Sequence, residues 1–415
     1  MAAEVLSGRG LAVCVYDQMP SVGRKLVLAG RSGLNLTHSE SFADLVGRYG
    51  AASSALEPAL ARFPPEALRE WCAGLGIPTF VGSSGRVFPE SFRATPLLRA
   101  WLARLGDAGV EIRTRHRWTG WDGDGRAIFA TPDGPARTDH GPIVLALGGA
   151  SWPRVGSDGT WTDVVAGAGI EVVPLRPANC GFRVAWSDTF RDRFAGDPLK
   201  NLRVSVAGAT GPGATNRGEA VVTSRGLEGG AVYAVSAVLR DVAERDGRAT
   251  LLCDLHPDLD ESTVAARLAR RRRGESTSTK LRGVGLAPVA VGLLREVTGN
   301  RLPSEPDGLA SLVKAAPVVV DGPESIDRAI STAGGIALGE VDADLMLRRR
   351  PGTFVAGEML DWEAPTGGYL LQASFSTAVV AAEGAASWLG IDVASPPWSS
   401  PTSSRSPRPS SGCGS

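Results

Sequence analysis

The sequence predicts an α/β fold in which a parallel sheet of the dinucleotide-binding kind is interrupted by a β-rich segment and a helical one. Three stretches predict it. Residues 1–17 read as the end of a helix (Met1–Gly8), a continuous apolar run LAVCVY (11–16), and then Asp17. An unbroken apolar strand is one buried on both faces, as in parallel sheets. Residues 143–147 repeat the pattern and run into Gly148 and Gly149. Residues 353–356 form a third such strand, followed by Gly357, Glu358 and Asp361, and by Thr366-Gly367-Gly368-Tyr369 at the head of a long helix rich in alanine and serine.

Each stretch has a chemical reading. Helix, buried strand and terminal acid make the second half of a βαβ unit. Its carboxylate accepts hydrogen bonds from a ribose about 20 residues after the first glycines. A strand ending in two glycines lets the chain turn close against a ligand at the carboxyl edge of the sheet. At 357–369 a carboxylate can hold a ribityl or ribose hydroxyl, and the helix N-terminus offers unpaired N–H groups and a positive dipole end. Residues 20–37, PSVGRKLVLAGRSGLNLT, combine glycines with Arg24, Lys25, Arg31 and small hydroxyls. That composition suits a loop that wraps a phosphate, with the interleaved leucines as anchors.

The remaining elements follow in order. Residues 55–76 and 94–109 carry helical apolar faces, and 110–117 alternates as a strand before a β-ribbon over 121–137. Segments 181–186, 202–208, 219–223 and 249–253 read as short strands joined by glycine-rich turns, an antiparallel or barrel-like insert. GATGPG (208–213) lies between two of them with no helix after it, so it reads as a hairpin turn and not as a phosphate loop. Residues 258–316 read as helical, with Arg270–Arg273 at a helix end, and 318–320 as a strand returning to the insert. The segment 395–415 is mostly serine and proline and is not expected to fold.

Composition narrows the class. A chain of 415 residues makes two or three domains at roughly 100–200 residues each. Lysine plus arginine and aspartate plus glutamate are 44 each, which argues against a binder that neutralises many phosphates. No apolar run reaches the roughly 18–20 residues that cross a bilayer, and the N-terminus has no signal-peptide pattern. The five cysteines and four histidines show no metal-ligand or disulfide spacing. A cytoplasmic, metal-free protein that binds neither nucleic acid nor membrane is expected; the oligomeric state is left open.

Five motifs carry a family resemblance: GRKLVLAGRSGLNLTHSE (23–40), SSGRVFPESFRATPLLRAWL (83–102), LALGGASWPRVGSDG (145–159), TSRGLEGGAVYAVS (223–236) and AGEMLDWEAPTGGYLLQASF (356–375). Together they resemble the bacterial BaiN/YhiN-like FAD-dependent flavoproteins over about residues 1–390. The resemblance implies a two-dinucleotide-binding-type, Rossmann-like FAD domain over 1–176 and 331–390. A β-barrel-like insert (177–257 and 317–330) on the substrate side and a helical insert (258–316) interrupt it, and 391–415 is a disordered tail. It also implies site residues. Asp17 is the adenosine-ribose acid. Arg24 and Lys25 lie near the adenosine and phosphates. Gly30, Arg31, Ser32, Gly33, Asn35 and Thr37 line the cofactor. Trp118 touches the adenine through its main chain, and Gly148 and Gly149 make a second close approach. Gly357, Glu358, Asp361, Thr366, Gly367, Gly368 and Tyr369 form the pyrophosphate–ribityl–flavin end.

In this alignment Met1 falls inside the family's first helix, so the G-x-G-x-x-G strand-turn has no counterpart here. The expectation is a functional protein about 15–20 residues longer than this chain. The function implied is hydride transfer between a small organic substrate and flavin N5, with NAD(P)H or oxygen as the other redox partner. The alternative is a non-catalytic or degenerate flavin-binding protein without a complete pyrophosphate loop. No catalytic acid or base stands out from the sequence, Tyr369 and Glu358 included.

Overall fold

The computed structural model describes residues 1–31, 33–138, 141–272 and 274–393. Ser32, Arg273 and the serine–proline segment therefore lie outside the described residues. The chain opens with α1 (Ala2–Ser7), β1 (Cys14–Asp17), α2 (Arg24–Ala29), β2 (Thr37–His38), α3 (Phe42–Gly47), α4 (Ser53–Arg62) and α5 (Pro65–Gly74). Next come β3 (Thr79–Val81), β4 (Arg86–Pro89), α6 (Ala94–Asp107), β5 (Glu111–Thr114), β6 (Arg117–Trp121), β7 (Ala127–Thr131), β8 (Gly134–Arg137), β9 (Ile143–Leu145) and α7 (Trp161–Gly167). Strand β1 pairs in parallel with β5.

The middle of the chain is β10 (Val172–Ala178), β11 (Phe182–Arg183), α8 (Asp188–Phe194), β12 (Pro198–Val206), β13 (Thr215–Val222), β14 (Gly226–Glu228), α9 (Gly230–Ala234), α10 (Ser236–Asp246) and β15 (Ala249–Asp254). Four helices follow: α11 (Glu261–Ala269), α12 (Thr277–Gly283), α13 (Pro288–Val297) and α14 (Pro306–Lys314). Then β16 (Ala316–Val320), β17 (Gly322–Pro323), β18 (Ser331–Ile336), β19 (Thr353–Val355) and α15 (Tyr369–Trp388) complete the described chain. Strands β19 and β9 pair in parallel. The fold is thus mixed α/β, with parallel pairs at the three stretches that predicted them.

Three local readings are corrected. Residues 20–37 are not one loop: α2 forms inside them, because Arg24–Ala29 is a run of good helix formers between Gly23, in the left-handed region, and Gly30. The helix over 55–76 is two helices. Phe63 leaves helical geometry ahead of Pro64 and Pro65, and a residue before proline is driven out of the helical region. The freed Phe63 carbonyl accepts from Gln372 Nε2 and Ser376 Oγ, both at 2.7 Å. Finally, the strand read over 181–186 is only the two residues of β11.

A seven-stranded sheet runs β16-β15-β12-β13-β14-β11-β17. Its two outermost strands are consecutive in sequence, separated by Asp321 alone. The sheet therefore curls enough to bring its two edge strands end to end at that residue. GATGPG is the turn between the antiparallel strands β12 and β13. The chain enters this body through β10 and leaves through β18, and those two strands pair antiparallel. The long helix α15 is apolar on most faces and buried along most of its length. It packs against α1, α4 and β19. Its one deeply placed acid, Glu383, is held bidentately by Arg62 at 2.6 and 2.7 Å.

Candidate functional site

Three distant segments meet at Glu358. Lys25, on the first turn of α2, donates to Glu358 Oε2 at 2.6 Å, Ser151 Oγ at 2.9 Å and Ser157 Oγ at 3.2 Å. The other carboxylate oxygen accepts from the Thr332 amide at 2.9 Å, and Oε2 also accepts from the Gly149 amide at 3.3 Å. One carboxylate thereby ties together α2, the turn after β9 and the start of β18. Gly149 is required by the protein itself, since a Cβ there would lie 2.3 Å from Thr332 Oγ1. That hydroxyl in turn accepts from the Ala150 amide at 2.9 Å. Gly148, at φ +76, gives its carbonyl to Trp161 Nε1 at 2.8 Å.

The second centre is the start of α15. Gly367 and Gly368 adopt φ +148 and +95, and no described side chain caps the helix. Its first intrahelical bond runs from Gln372 N to Gly368 O, 3.0 Å. The amides of Tyr369, Leu370 and Leu371 are left without helical partners. A Cβ on Gly368 would sit 2.5–2.7 Å from the N, Cα and C atoms of Thr37, so β2 lies directly against this helix end. Thr37 is 0 % exposed. Its Oγ1 and the neighbouring Asn35 Oδ1 are buried with no hydrogen-bond partner among the described residues. Each such atom costs about 1–3 kcal/mol, a cost that a polar ligand edge would remove.

Tyr369 is fixed on every side. Its hydroxyl bonds Glu40, its ring stacks on His38 at 5.5 Å, and its carbonyl accepts from Tyr49 Oη at 2.8 Å. Arg48 grips Glu40 at 2.6 and 3.1 Å. Burial opposes the charged form of Glu40, but the bonds from Arg48 and Tyr369 outweigh it and hold the carboxyl below the ordinary range. Burial, reinforced by Glu40, pushes the Tyr369 phenol up, so it stays protonated.

The other expected residues are spread around these centres. Asp17 ends β1, its Oδ1 accepting from the Met19 amide at 2.7 Å, and burial raises its carboxyl against the help of that bond and of Arg24. Arg24 reaches Ser21 Oγ at 2.9 Å, and Arg31 is exposed. Gly30 serves packing, since a Cβ would lie 2.6 Å from that of Ala94 on α6. Gly33 stands 3.4 Å, by the same measure, from the Phe92 ring. Trp118 is buried on β6, edge-on to Trp121 at 4.8 Å. Gly357, at φ +73, donates its amide N–H to Thr377 Oγ1 at 2.9 Å. Asp361 is pushed up by burial, with Arg176 nearby to oppose the shift, and Thr366 lies in the turn before α15.

Ser151, Ser157, Thr332, Glu40, Arg48 and His38 were not singled out by the sequence reading. Ser151, Ser157, His38 and Glu40 lie inside the motifs that carry the family resemblance, so a signal was present. Thr332 reaches the site only through tertiary pairing.

The family model "HI0933-like protein Rossmann domain" matches residues 1–384. The chain belongs to this family. It is an FAD-dependent oxidoreductase. A curated relative, the 3-dehydro-bile acid delta(4,6)-reductase of Clostridium scindens, is 24% identical over 393 residues, 90% of this chain and 92% of the relative. Among solved structures, a 3-ketosteroid delta1-dehydrogenase from Sterolibacterium denitrificans aligns at TM-score 0.49 and 13% identity, covering 93% of this chain and 97% of that one. The open conformation of a flavocytochrome c3 fumarate reductase aligns at TM-score 0.45 and 14% identity, covering 93% and 76%.

The residues present fit FAD at both of its ends. Asp17 offers a carboxylate with free lone pairs at the end of a parallel strand. The α15 start offers uncapped amides and, beside them, the unpartnered oxygens of Asn35 and Thr37.

Proposed function

We propose that the chain transfers a hydride between a small organic substrate and its flavin, with NAD(P)H or oxygen as the other redox partner. The observation that carries this is the uncapped start of α15 beside the buried, unpartnered oxygens of Asn35 and Thr37. When bound, FAD supplies a hydride-accepting and hydride-donating ring whose reduced form is anionic.

In this reading Asp17 holds the adenosine ribose, and Arg24 and Lys25 lie on the phosphate side. Gly30, Arg31, Ser32, Gly33, Asn35 and Thr37 run along the cofactor, and the Trp118 main chain meets the adenine. Gly148, Gly149, Gly357, Glu358, Asp361 and Thr366 flank its middle. The amides following Gly367 and Gly368 face the flavin end, where the helix dipole stabilises negative charge. Tyr369 orders this helix end from within: with Glu40, His38 and Tyr49 all engaged, its position is fixed before any ligand arrives. The barrel-like body (177–257 and 317–330) and the helical insert (258–316) wall the substrate side of the FAD domain (1–176 and 331–390).

The relative's name describes a substrate with a ketone and conjugated C=C bonds. This supports an unsaturated carbonyl compound as the substrate class. The test is a spectrum of the purified protein after incubation with FAD, followed by anaerobic mixing with NADH or NADPH. Bleaching of the flavin absorbance and reoxidation by substrate support the reading. A preparation that stays colourless overturns it. Flavin that is reduced but never turns over selects the binding-only alternative.

A further inference from the structure

Residues 363–367 lead into the helix start at Gly368 and lie in neither helix nor strand. Among the described residues they form no backbone–backbone hydrogen bond, and every hydrogen bond made to them comes from two buried side chains, Arg240 and Asn179. Both belong to the other side of the molecule. Arg240 lies on α10, which packs against β15 and β17 of the seven-stranded sheet. Asn179 lies between β10 and β11, where the chain enters that body.

Arg240 is 0 % exposed. Its Nη1 and Nη2 donate to the two carboxylate oxygens of Glu363 at 3.0 and 2.7 Å. Nη1 also reaches the Pro177 carbonyl at 3.1 Å, and Nε and Nη2 share Asp241 Oδ1 at 3.1 and 3.0 Å. Every N–H of the guanidinium is thereby engaged. A planar fork bound in this way has one orientation, so it fixes Glu363 in direction as well as in distance.

Asn179 is 2 % exposed and adopts φ +49, a conformation that asparagine visits more readily than most residues. Its amide donates to Ser236 Oγ at 3.0 Å and its carbonyl accepts from the Ile330 amide at 3.2 Å. With the backbone so held, Nδ2 donates to Ser331 Oγ at 2.7 Å and to the Ala364 carbonyl at 2.8 Å. Ser331 opens β18, and the next residue, Thr332, donates its amide to Glu358. Asn179 therefore joins the turn before α15 to the strand that carries the Glu358 cluster.

We propose that Arg240 and Asn179 are positioning residues for the flavin end of the site. From the seven-stranded body they fix Glu363 and Ala364, and with them the aim of Gly367, Gly368 and the uncapped amides that follow. The inference rests on the flavoenzyme reading above. Neither side chain needs to touch the flavin. Free helix amides favour the anionic reduced ring over the neutral oxidised one, and the preference depends on where those amides point. A turn released from its clamp loses part of that preference.

The test uses the full chain with FAD in excess. Arg240→Lys keeps the positive charge but has no planar fork. Asn179→Gly accommodates the φ of +49 and removes the Nδ2 donor. Neither changes the net charge of the site, so a shift in potential has no lost charge as its source. Arg62→Lys is the control, because it loosens another bidentate pair, with Glu383 in the later turns of the same helix. Midpoint potentials come from anaerobic dye titration, and circular dichroism checks folding. Each of the two variants is expected to lower the potential by about 30 mV, a tenfold loss of preference for reduced over oxidised flavin in a two-electron couple. The control keeps the wild-type potential. Unchanged potentials in the two folded variants, with only the unfolding midpoint lowered, would mean a merely structural role and overturn the inference. An equal shift in the control would assign the effect to a general loosening of α15 and overturn it as well. Asn179→Gly decides the matter alone where Arg240→Lys fails to fold. A colourless wild type overturns the flavoenzyme reading instead.

Discussion

Replacing Gly368 by alanine separates two costs that the structure places at one residue. Its φ of +95 carries the left-handed penalty, about 1–2 kcal/mol for a residue with a Cβ. The new Cβ would also lie 2.5–2.7 Å from three backbone atoms of Thr37. Backbone cannot rotate away as a side chain can, so β2 must separate from α15, adding about 1–3 kcal/mol of overpacking. Gly247, at φ +78 beyond the end of α10, has no described atom within 4 Å of the point a Cβ would occupy and carries only the first cost. In denaturant unfolding, Gly368→Ala is expected to lose about 2–5 kcal/mol and Gly247→Ala about 1–2. Flavin affinity, titrated by absorbance, falls in the first variant only. Equal losses in the two variants, with equal flavin affinity, would refute the close approach of β2 to the helix end as the cause.

Three further outcomes follow from other residues. Thr37→Val removes a buried hydroxyl without a described partner; the cofactor-free chain is expected to gain about 1 kcal/mol in unfolding while flavin binding weakens, and a loss of stability would show that the hydroxyl is already satisfied. Arg240, 0 % exposed and bidentate to Glu363 at 2.7 and 3.0 Å, leaves a partly exposed acid without its partner when changed to alanine, an expected loss of about 1.5–3 kcal/mol measured the same way. Burial raises the Asp17 carboxyl above the ordinary 3.8 in the folded chain. Folding therefore disfavours its charged form, and the resulting penalty appears as pH rises from 3.8 through the folded value. Asp17→Asn should consequently be more stable than wild type at neutral pH and equal to it below pH 3.8, and a constant difference across that range would assign the effect to packing instead.

What the sequence made legible was what local chemistry controls. Apolar runs announce strands, so β9 and β19 start where theirs do, while β1 begins only at Cys14 and is half-buried along its length; the glycine pair before α15 marked the helix start because glycine adopts positive φ without strain. The hairpin at GATGPG was legible for the same reason: its flanking runs alternate. What escaped was decided at long range. Thr332 enters the Glu358 cluster only because β18 returns beside β10, and Glu40 meets Tyr369 across more than three hundred residues of chain. The helix in 24–29 was hidden by its neighbours, since three glycines, at 23, 30 and 33, made the whole stretch look like loop. Gly30 and Gly149 show the converse. Their lack of a side chain reads as room for a ligand, yet Ala94 and Thr332 already fill the space beside them.

The seam at Asp321 governs how the barrel-like body can change length over generations. One residue spans from the last position of β16 to the first of β17, its amide donating to the Arg183 carbonyl at 2.9 Å while the Arg183 guanidinium binds the carbonyls of Asp321 and Pro323. An added residue there has nowhere to bulge without unzipping the closure, and a deleted one cannot bridge it. The turn between β12 and β13 stands free in solvent, and extra residues there lengthen only a loop. Insertions among descendants of this gene should therefore accumulate at 208–213 and be purged at 321.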